Sequence, residues 1–339
     1  MVVSNSLFYF CEVLSIISYS DFIELREKIH SSKLSFFLGK FSLRAFKRVQ
    51  SHWNAGALPP TNWWNIPLVR KRWNKMITGN DNQSYINYVI EKYLHNCTNL
   101  NMLSIGCGTG SQELDFLKSN VFTSITAIDL AFQNIQYAQS RTNDERIQFI
   151  HSSFEQFESQ QTFDIILFHS SLHHLKNLEQ VIAKIKTMLS NKGIIIIHEY
   201  TGPDRIQWNH KQLDVVNSIL NTIPQNKRTY LSGKIKKRQT APGLLRMLIA
   251  DPSEAVESSK ILPLLNAHFQ MLELNGYGGN ILVPLLKGIS QHFIEESEEN
   301  FNLLNHFFNV EDSYLVSQTD DFHFGVYKKT AVTLLYNGC

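Results

Sequence analysis

Three glycines at alternate positions, Gly106, Gly108 and Gly110, stand within Leu103-Ser104-Ile105-Gly106-Cys107-Gly108-Thr109-Gly110. Where a strand gives way to a helix, residues without a Cβ let the backbone turn sharply and lie against a ligand. The spacing is GxGxG. A dinucleotide fingerprint asks for GxGxxG and a phosphate loop for GxxxxGK[ST], and neither is present. Asp129, about twenty residues further on, ends an apolar run, where a carboxylate can accept from both hydroxyls of a ribose. Without such a ligand, the same residue reads as a cap for the helix that follows.

Titratable side chains gather in two later stretches, His169-Ser170-Ser171-Leu172-His173-His174 and His198-Glu199. Both follow apolar runs, and open α/β sheets build their sites at the carboxyl ends of strands. His169, His173 and Glu199 are the proton-handling candidates, with Glu199 expected to point into an acceptor pocket as general base. His198 alternates to the opposite face of its strand, and His174 is expected to pack beside the next helix. HSSLHH offers no pair on one helix face and no carboxylate companion at ligand spacing, so no metal is expected.

The elements that must position these residues follow from periodicity. Residues Leu7 to about Lys92 read as helices, with apolar side chains at helical spacing and a turn-rich joint at Ala55-Gly56-Ala57-Leu58-Pro59-Pro60. Short apolar strands then alternate with helices: strands at Asn101 to Ile105, Ser124 to Asp129, Ile147 to His151, Phe163 to Phe168 and Gly193 to Glu199, helices at Ser111 to Ser119, Gln133 to Arg141 and Leu178 to Leu189. After Glu199 the text turns helical for about sixty residues, then gives two late strands, Phe269 to Leu274 and Phe322 to Lys328. A late, widely separated pair fits a sheet that finishes with an antiparallel strand near its edge.

With these residues in hand, the stretch from Met102 to Glu199 resembles the class I S-adenosylmethionine-dependent methyltransferases, through the glycine loop, Ile128-Asp129-Leu130, Phe163-Asp164-Ile165-Ile166-Leu167-Phe168 and the LHHL element Leu172-His173-His174-Leu175. The resemblance implies S-adenosylmethionine as cofactor. It places Gly106, Cys107, Gly108 and Gly110 against the methionine portion, Asp129 at the ribose and Leu130 at the adenine. Ser153 and Phe154 would reach the adenine edge, and His169 would serve the cofactor through its backbone. An Asp commonly stands where this chain has Ser153. Glu199-Tyr200-Thr201-Gly202-Pro203-Asp204-Arg205-Ile206-Gln207-Trp208 is similar to a bacterial subgroup with E-Y-x-G-P, along with Asp251-Pro252-Ser253-Glu254-Ala255-Val256 and Tyr277-Gly278-Gly279.

The expected architecture is α/β: a Rossmann-like, mostly parallel sheet with a late antiparallel strand, a helical N-terminal extension (1–95), a cofactor-binding core (96–204), a helical cap insertion (205–266) and a C-terminal completion of the sheet (267–339). The acceptor is expected between the sheet and the cap, lined by Trp63, Trp64, Tyr200, Arg205 and Trp208, with Trp53 and Trp73 nearby. For the tryptophans, a role as core anchors is the competing reading. The run Lys227-Arg228 and Lys234-Ile235-Lys236-Lys237-Arg238 reads as a solvated loop, or as a surface for an anionic acceptor or carrier protein.

The function this implies is methyl transfer to an oxygen, less readily a nitrogen, of a small-molecule, saccharide or peptide-derived acceptor. An NAD(P) oxidoreductase and a degenerate methyltransferase fold kept as a scaffold are the rivals. The 32 Lys and Arg nearly balance the 30 Asp and Glu, so no broad basic field marks a nucleic-acid partner. Four scattered cysteines fit a reducing cytoplasm. The apolar Met1 to Ser20 lacks a basic start and is broken by polar residues, which argues for a packed helix and no membrane partner. A homodimer is compatible with this pattern.

Overall fold

The computed structural model describes residues 18–31, 62–250 and 252–329. Expectations for Leu7 to Ile17, for the apolar repeat from Leu34 to Phe46, for Trp53 and for the 55–60 joint lie outside them, as does Asp251. Helix α1 (Tyr19–Ser31) precedes α2 (Pro67–Thr78) and α3 (Tyr85–Val89), which runs into a π-helical turn, Ile90–Leu94. The α/β run is β1 (Leu100–Ile105), α4 (Ser111–Leu117), β2 (Phe122–Asp129), α5 (Phe132–Ser140), β3 (Ile147–His151), β4 (Phe163–His169), α6 (Leu178–Met188) and β5 (Leu189–Tyr200). Helices α7 (His210–Thr222), α8 (Leu244–Ala250) and α9 (Ile261–His268) lead to β6 (Phe269–Gly276), and α10 (Leu282–Leu286) and α11 (Glu298–Leu315) to β7 (Phe322–Lys329).

These strands form one sheet in the order β3-β2-β1-β4-β5-β7-β6. Strands β1 to β5 pair in parallel, and β7 enters antiparallel between β5 and β6. Their apolar runs suit burial on both faces. One face packs Met102, Phe116, Ile125 and Leu167. The other packs Leu103, Phe168, Ile182, Ile195 and Ile197, together with Ile261 and Leu265 of α9. Helix α9 therefore belongs to the layer flanking the sheet, although the sequence pattern groups most of it with the cap.

Strand β5 begins at Leu189, ahead of the start expected at Gly193, and Leu189 pairs with Phe163 across a register irregularity. A Cβ on Gly193 would lie 2.7 Å from the Leu189 side chain and 3.0 Å from the Phe163 carbonyl, so the irregularity closes only around a glycine.

A third apolar cluster lies apart from the sheet and joins Trp63, Ile66 and Val69 to Val216, Ile219, Leu220, Leu282, Leu285, Phe293 and Phe307. The cap thus has its own core, built from α2, α7, α10 and α11, and it draws in the segment between β6 and β7 as well as the stretch after β5. Helix α1 docks on it: Arg246 pairs with Asp21 (2.8 Å) and Glu24, and Lys287 with Glu24 (2.6 Å). Within the basic run, Lys236 is fully buried. Its Nζ donates to the carbonyls of Pro284 (2.7 Å), Leu285 (3.0 Å) and Lys287 (2.8 Å), closing the C-terminal end of α10. That residue holds the cap together and is withdrawn from any anionic partner.

Candidate active site

The carboxyl ends of the parallel strands come level: Asp129 pairs with His151, and His169 with His198. The strand order reverses between β1 and β4, where open α/β sheets leave a crevice. The glycine loop fills the β1 side of it. A Cβ on Gly106 would stand 2.5 Å from that of Ser171, and one on Gly110 2.6 Å from the Phe149 ring, so both are pinned by packing. Gly108 differs: its φ is +54° and a Cβ there would meet nothing within 4 Å. The open side of the loop is therefore at Gly108. Asp129 braces it, accepting the Gly108 N–H at one oxygen (2.8 Å) and the Ala131 N–H at the other (2.7 Å). Burial raises the pKa of this carboxyl. Each oxygen keeps a lone pair, so bracing the loop and accepting a further hydroxyl are compatible.

Beneath the loop, Glu113 is buried and accepts the Ser104 hydroxyl at 2.5 Å. Burial pushes its pKa up to about 7 from 4.5. A carboxyl whose folded pKa is raised stabilises the fold below its unfolded pKa and loses that contribution as pH climbs through the folded one. Between pH 4.5 and 7, therefore, wild type should lose about 3 kcal/mol relative to Glu113→Gln. Urea unfolding of both proteins across that range measures it, and parallel curves would refute the assignment.

On the β4 side, Ser171 ties the two halves together, its hydroxyl donating to the Ile105 carbonyl at 2.5 Å. Glu199 is completely buried. One of its oxygens accepts the N–H groups of Ser171 (2.5 Å) and Leu172 (2.7 Å), and the other meets His173 Nδ1 at 2.6 Å. Burial pushes this carboxyl's pKa up, but His173 and the two N–H groups outweigh it and the net displacement is downward. The carboxylate is thus ionised and turned inward, away from the open acceptor space expected of it, because three donors surround it. His173 Nδ1 must carry the proton of that contact, which turns Nε2 to the far side of the ring. His173 Nε2 lies 3.8 Å and His174 Nδ1 3.9 Å from the carboxylate of Glu254.

Glu254 arrives from a distant stretch of chain. Arg205 holds it there, its guanidinium donating to the carbonyls of Pro252 (3.1 Å) and Glu254 (3.3 Å) and its backbone N–H to that of Ala255 (2.6 Å). Arg205 and Ala255 both lie in the left-handed region, at φ 56° and 46°. Such conformations cost about 1–3 kcal/mol each and persist only where surrounding contacts enforce them.

Residues 103–197 match the family profile described as "Methyltransferase domain". The chain is 26% identical over 162 residues to the malonyl-[acyl-carrier protein] O-methyltransferase of Halalkalibacterium halodurans, covering 46% of this chain and 59% of that one. It is 27% identical over 198 residues to the ubiquinone biosynthesis O-methyltransferase of Rickettsia typhi, covering 57% and 73%. The chain thus spans about three fifths of the length of the first of these relatives. Among solved structures, it is similar to the plantazolicin methyltransferase BpumL in complex with SAH (17% identity, TM-score 0.40, covering 91% of this chain and 100% of that one). A second is an S-adenosylmethionine-dependent methyltransferase from Mesorhizobium loti (11%, TM-score 0.43, 73% and 98%).

Residues 103–197 carry a methyltransferase domain, of the class I S-adenosylmethionine-dependent kind. The residues present suit the cofactor of that class: the loop opens at Gly108, and Asp129 stands beside it with lone pairs to spare. Around this site, Leu130 and Ser153 are half-buried at the β2 and β3 ends, whereas the Phe154 side chain packs into the core. Cys107 is buried behind the loop. His169 stacks on Tyr85 (centroids 5.5 Å) and on His198 (4.7 Å), which also meet each other (4.9 Å), and its Nδ1 meets the Tyr85 hydroxyl at 3.1 Å. Burial pushes its pKa down to about 4.

The residues expected to line the acceptor pocket separate. Trp63 is buried against Trp73 (4.5 Å) and Phe322 (5.3 Å), as a core anchor, while Trp64 is exposed. Trp208 and Tyr200 are buried, and the Tyr200 hydroxyl donates to the Pro203 carbonyl (2.9 Å). Arg205 acts on the Glu254 loop. Glu254, Glu113 and Tyr85 escaped sequence reasoning as site residues. Only Glu254 carried a signal, since its stretch had been marked by resemblance with no role attached.

Proposed function

We propose that this methyltransferase acts on an oxygen, less readily a nitrogen, of a small-molecule, saccharide or peptide-derived acceptor. The observation that carries the reading is the joining, through Ser171, of the glycine loop with Asp129 to the Glu199–His173 pair at one end of the sheet. S-adenosylmethionine supplies an electrophilic methyl carbon on a sulfonium. In-line displacement asks chiefly for positioning, with a proton acceptor needed when the attacking group is a hydroxyl. Gly108 and Asp129 serve the cofactor side. To the acceptor side we assign His173, whose Nε2 lies toward Glu254, with Glu199 as a positioning residue that holds its Nδ1 proton. His169, neutral and stacked, serves as a hydrogen-bonding wall. The names of the two curated relatives, both O-methyltransferases, support oxygen as the atom methylated.

Calorimetry tests the cofactor half. Wild type should bind S-adenosylmethionine and S-adenosylhomocysteine, and Asp129→Ala should bind them about 1.5–3 kcal/mol more weakly, the scale of losing charge-assisted hydrogen bonds to two hydroxyls. Binding of NAD(P) alone would sink the proposal. Mass-shift screening of metabolite extracts with labelled cofactor then identifies the acceptor.

A further inference from the structure

We propose that His173, His174 and Glu254 hold a divalent transition-metal ion at the acceptor side of the site. The inference rests on the methyltransferase reading only in making an acceptor oxygen the ion's further ligand. One donor atom from each of the three residues lies within 4.8 Å of the others. Bonds from such an ion to imidazole nitrogen or carboxylate oxygen are about 2.0–2.2 Å, so two donors of one ion stand at most ~4.4 Å apart. The 3.8 Å and 3.9 Å separations to Glu254 are long for a hydrogen bond and suit an ion between the partners.

Two further devices fix the donors. Glu199 takes the Nδ1–H of His173 at 2.6 Å, the carboxylate–histidine relation that orients a ligating imidazole and raises its basicity. Arg205 clamps the turn carrying Glu254, with Arg205 and Ala255 in the left-handed region. A surface ion pair needs neither. Two imidazoles with one carboxylate favour zinc, cobalt or nickel over magnesium or calcium. Three protein ligands leave a position open, and a hydroxyl bound there is polarised and loses its proton more readily.

Chelator-stripped full-length protein is titrated with Zn²⁺, Co²⁺ and Mg²⁺, and separately with S-adenosylhomocysteine. One equivalent of Zn²⁺ or Co²⁺ should bind, Co²⁺ giving the visible d–d bands of a low-symmetry nitrogen and oxygen site, with Mg²⁺ much weaker. Glu254→Gln, which keeps the shape of a partly buried side chain, should weaken Zn²⁺ at least tenfold, and Glu199→Gln by about 10- to 100-fold. Unchanged affinity in Glu254→Gln, or no saturable binding of Zn²⁺ and Co²⁺, overturns the proposal. Homocysteine-product binding without metal binding removes the ion and leaves the methyltransferase reading intact. Metal binding without the product supports the ion and removes that reading.

Discussion

Replacing Glu199 by glutamine should lower turnover by about 10² or more while leaving the dissociation constant of S-adenosylmethionine nearly unchanged. The amide oxygen can still accept the N–H groups of Ser171 and Leu172, so the turn after β4 keeps its shape. What changes is the contact with His173. An amide nitrogen there donates, Nδ1 becomes the acceptor, and the proton moves to Nε2, which then has no lone pair for an ion or an acceptor proton. Steady-state rates with calorimetry on the same preparation separate the outcomes. Loss of cofactor affinity in step with turnover would make Glu199 a brace for the glycine loop, acting through Ser171. Glu199→Ala is the poorer probe, since it strands buried N–H groups and unfolding is expected to confuse the result.

Gly108→Val should abolish detectable cofactor binding, at least a hundredfold loss, and leave the fold in place. The backbone there sits at φ +54°, which a β-branched residue adopts only under strain of about 1–3 kcal/mol. The new side chain also projects into the one open side of the loop, where it meets no protein atom. Gly110→Ala is the contrasting control: its Cβ would land 2.6 Å from the Phe149 ring, so it should unfold the protein more readily than it blocks ligand. Circular dichroism, thermal melting and product titration read both variants. A Gly108→Val protein that binds normally would show that the cofactor approaches elsewhere.

The parallel half of the sheet was legible because burial on both faces leaves an apolar run for each strand, and each run ends on a glycine, a carboxylate or a histidine. The antiparallel β7 was legible from the late pair of strands. The partition of the cap was not. Helices α10 and α11 stand between two sheet strands in sequence, and only packing assigns them to Trp63 and α7. Lys236 reads as one more charge in a basic run because nothing local signals three carbonyls at a helix end elsewhere in the chain. Glu199 was found, but its orientation followed from donors offered by the turn at Ser171 and Leu172. The missing carboxylate companion of His173 and His174 is Glu254, and spacing arguments fail for a ligand delivered by a separate loop.

The insertion of β7 between β5 and β6 has a consequence for how the chain is made. On the ribosome, β1 to β5 emerge in an order that lets each pair with a strand already synthesised, but β6 emerges before the strand that links it to the sheet. Until Phe322–Lys329 has appeared, β5 keeps a bare edge rich in isoleucine and β6 has no partner. Such an edge is a template for pairing with another nascent chain. The segment from Ile281 to Leu315 is long enough to fold its own helices against the cap in that interval. Vectorial synthesis thus leaves this topology with an unpaired edge up to the arrival of β7.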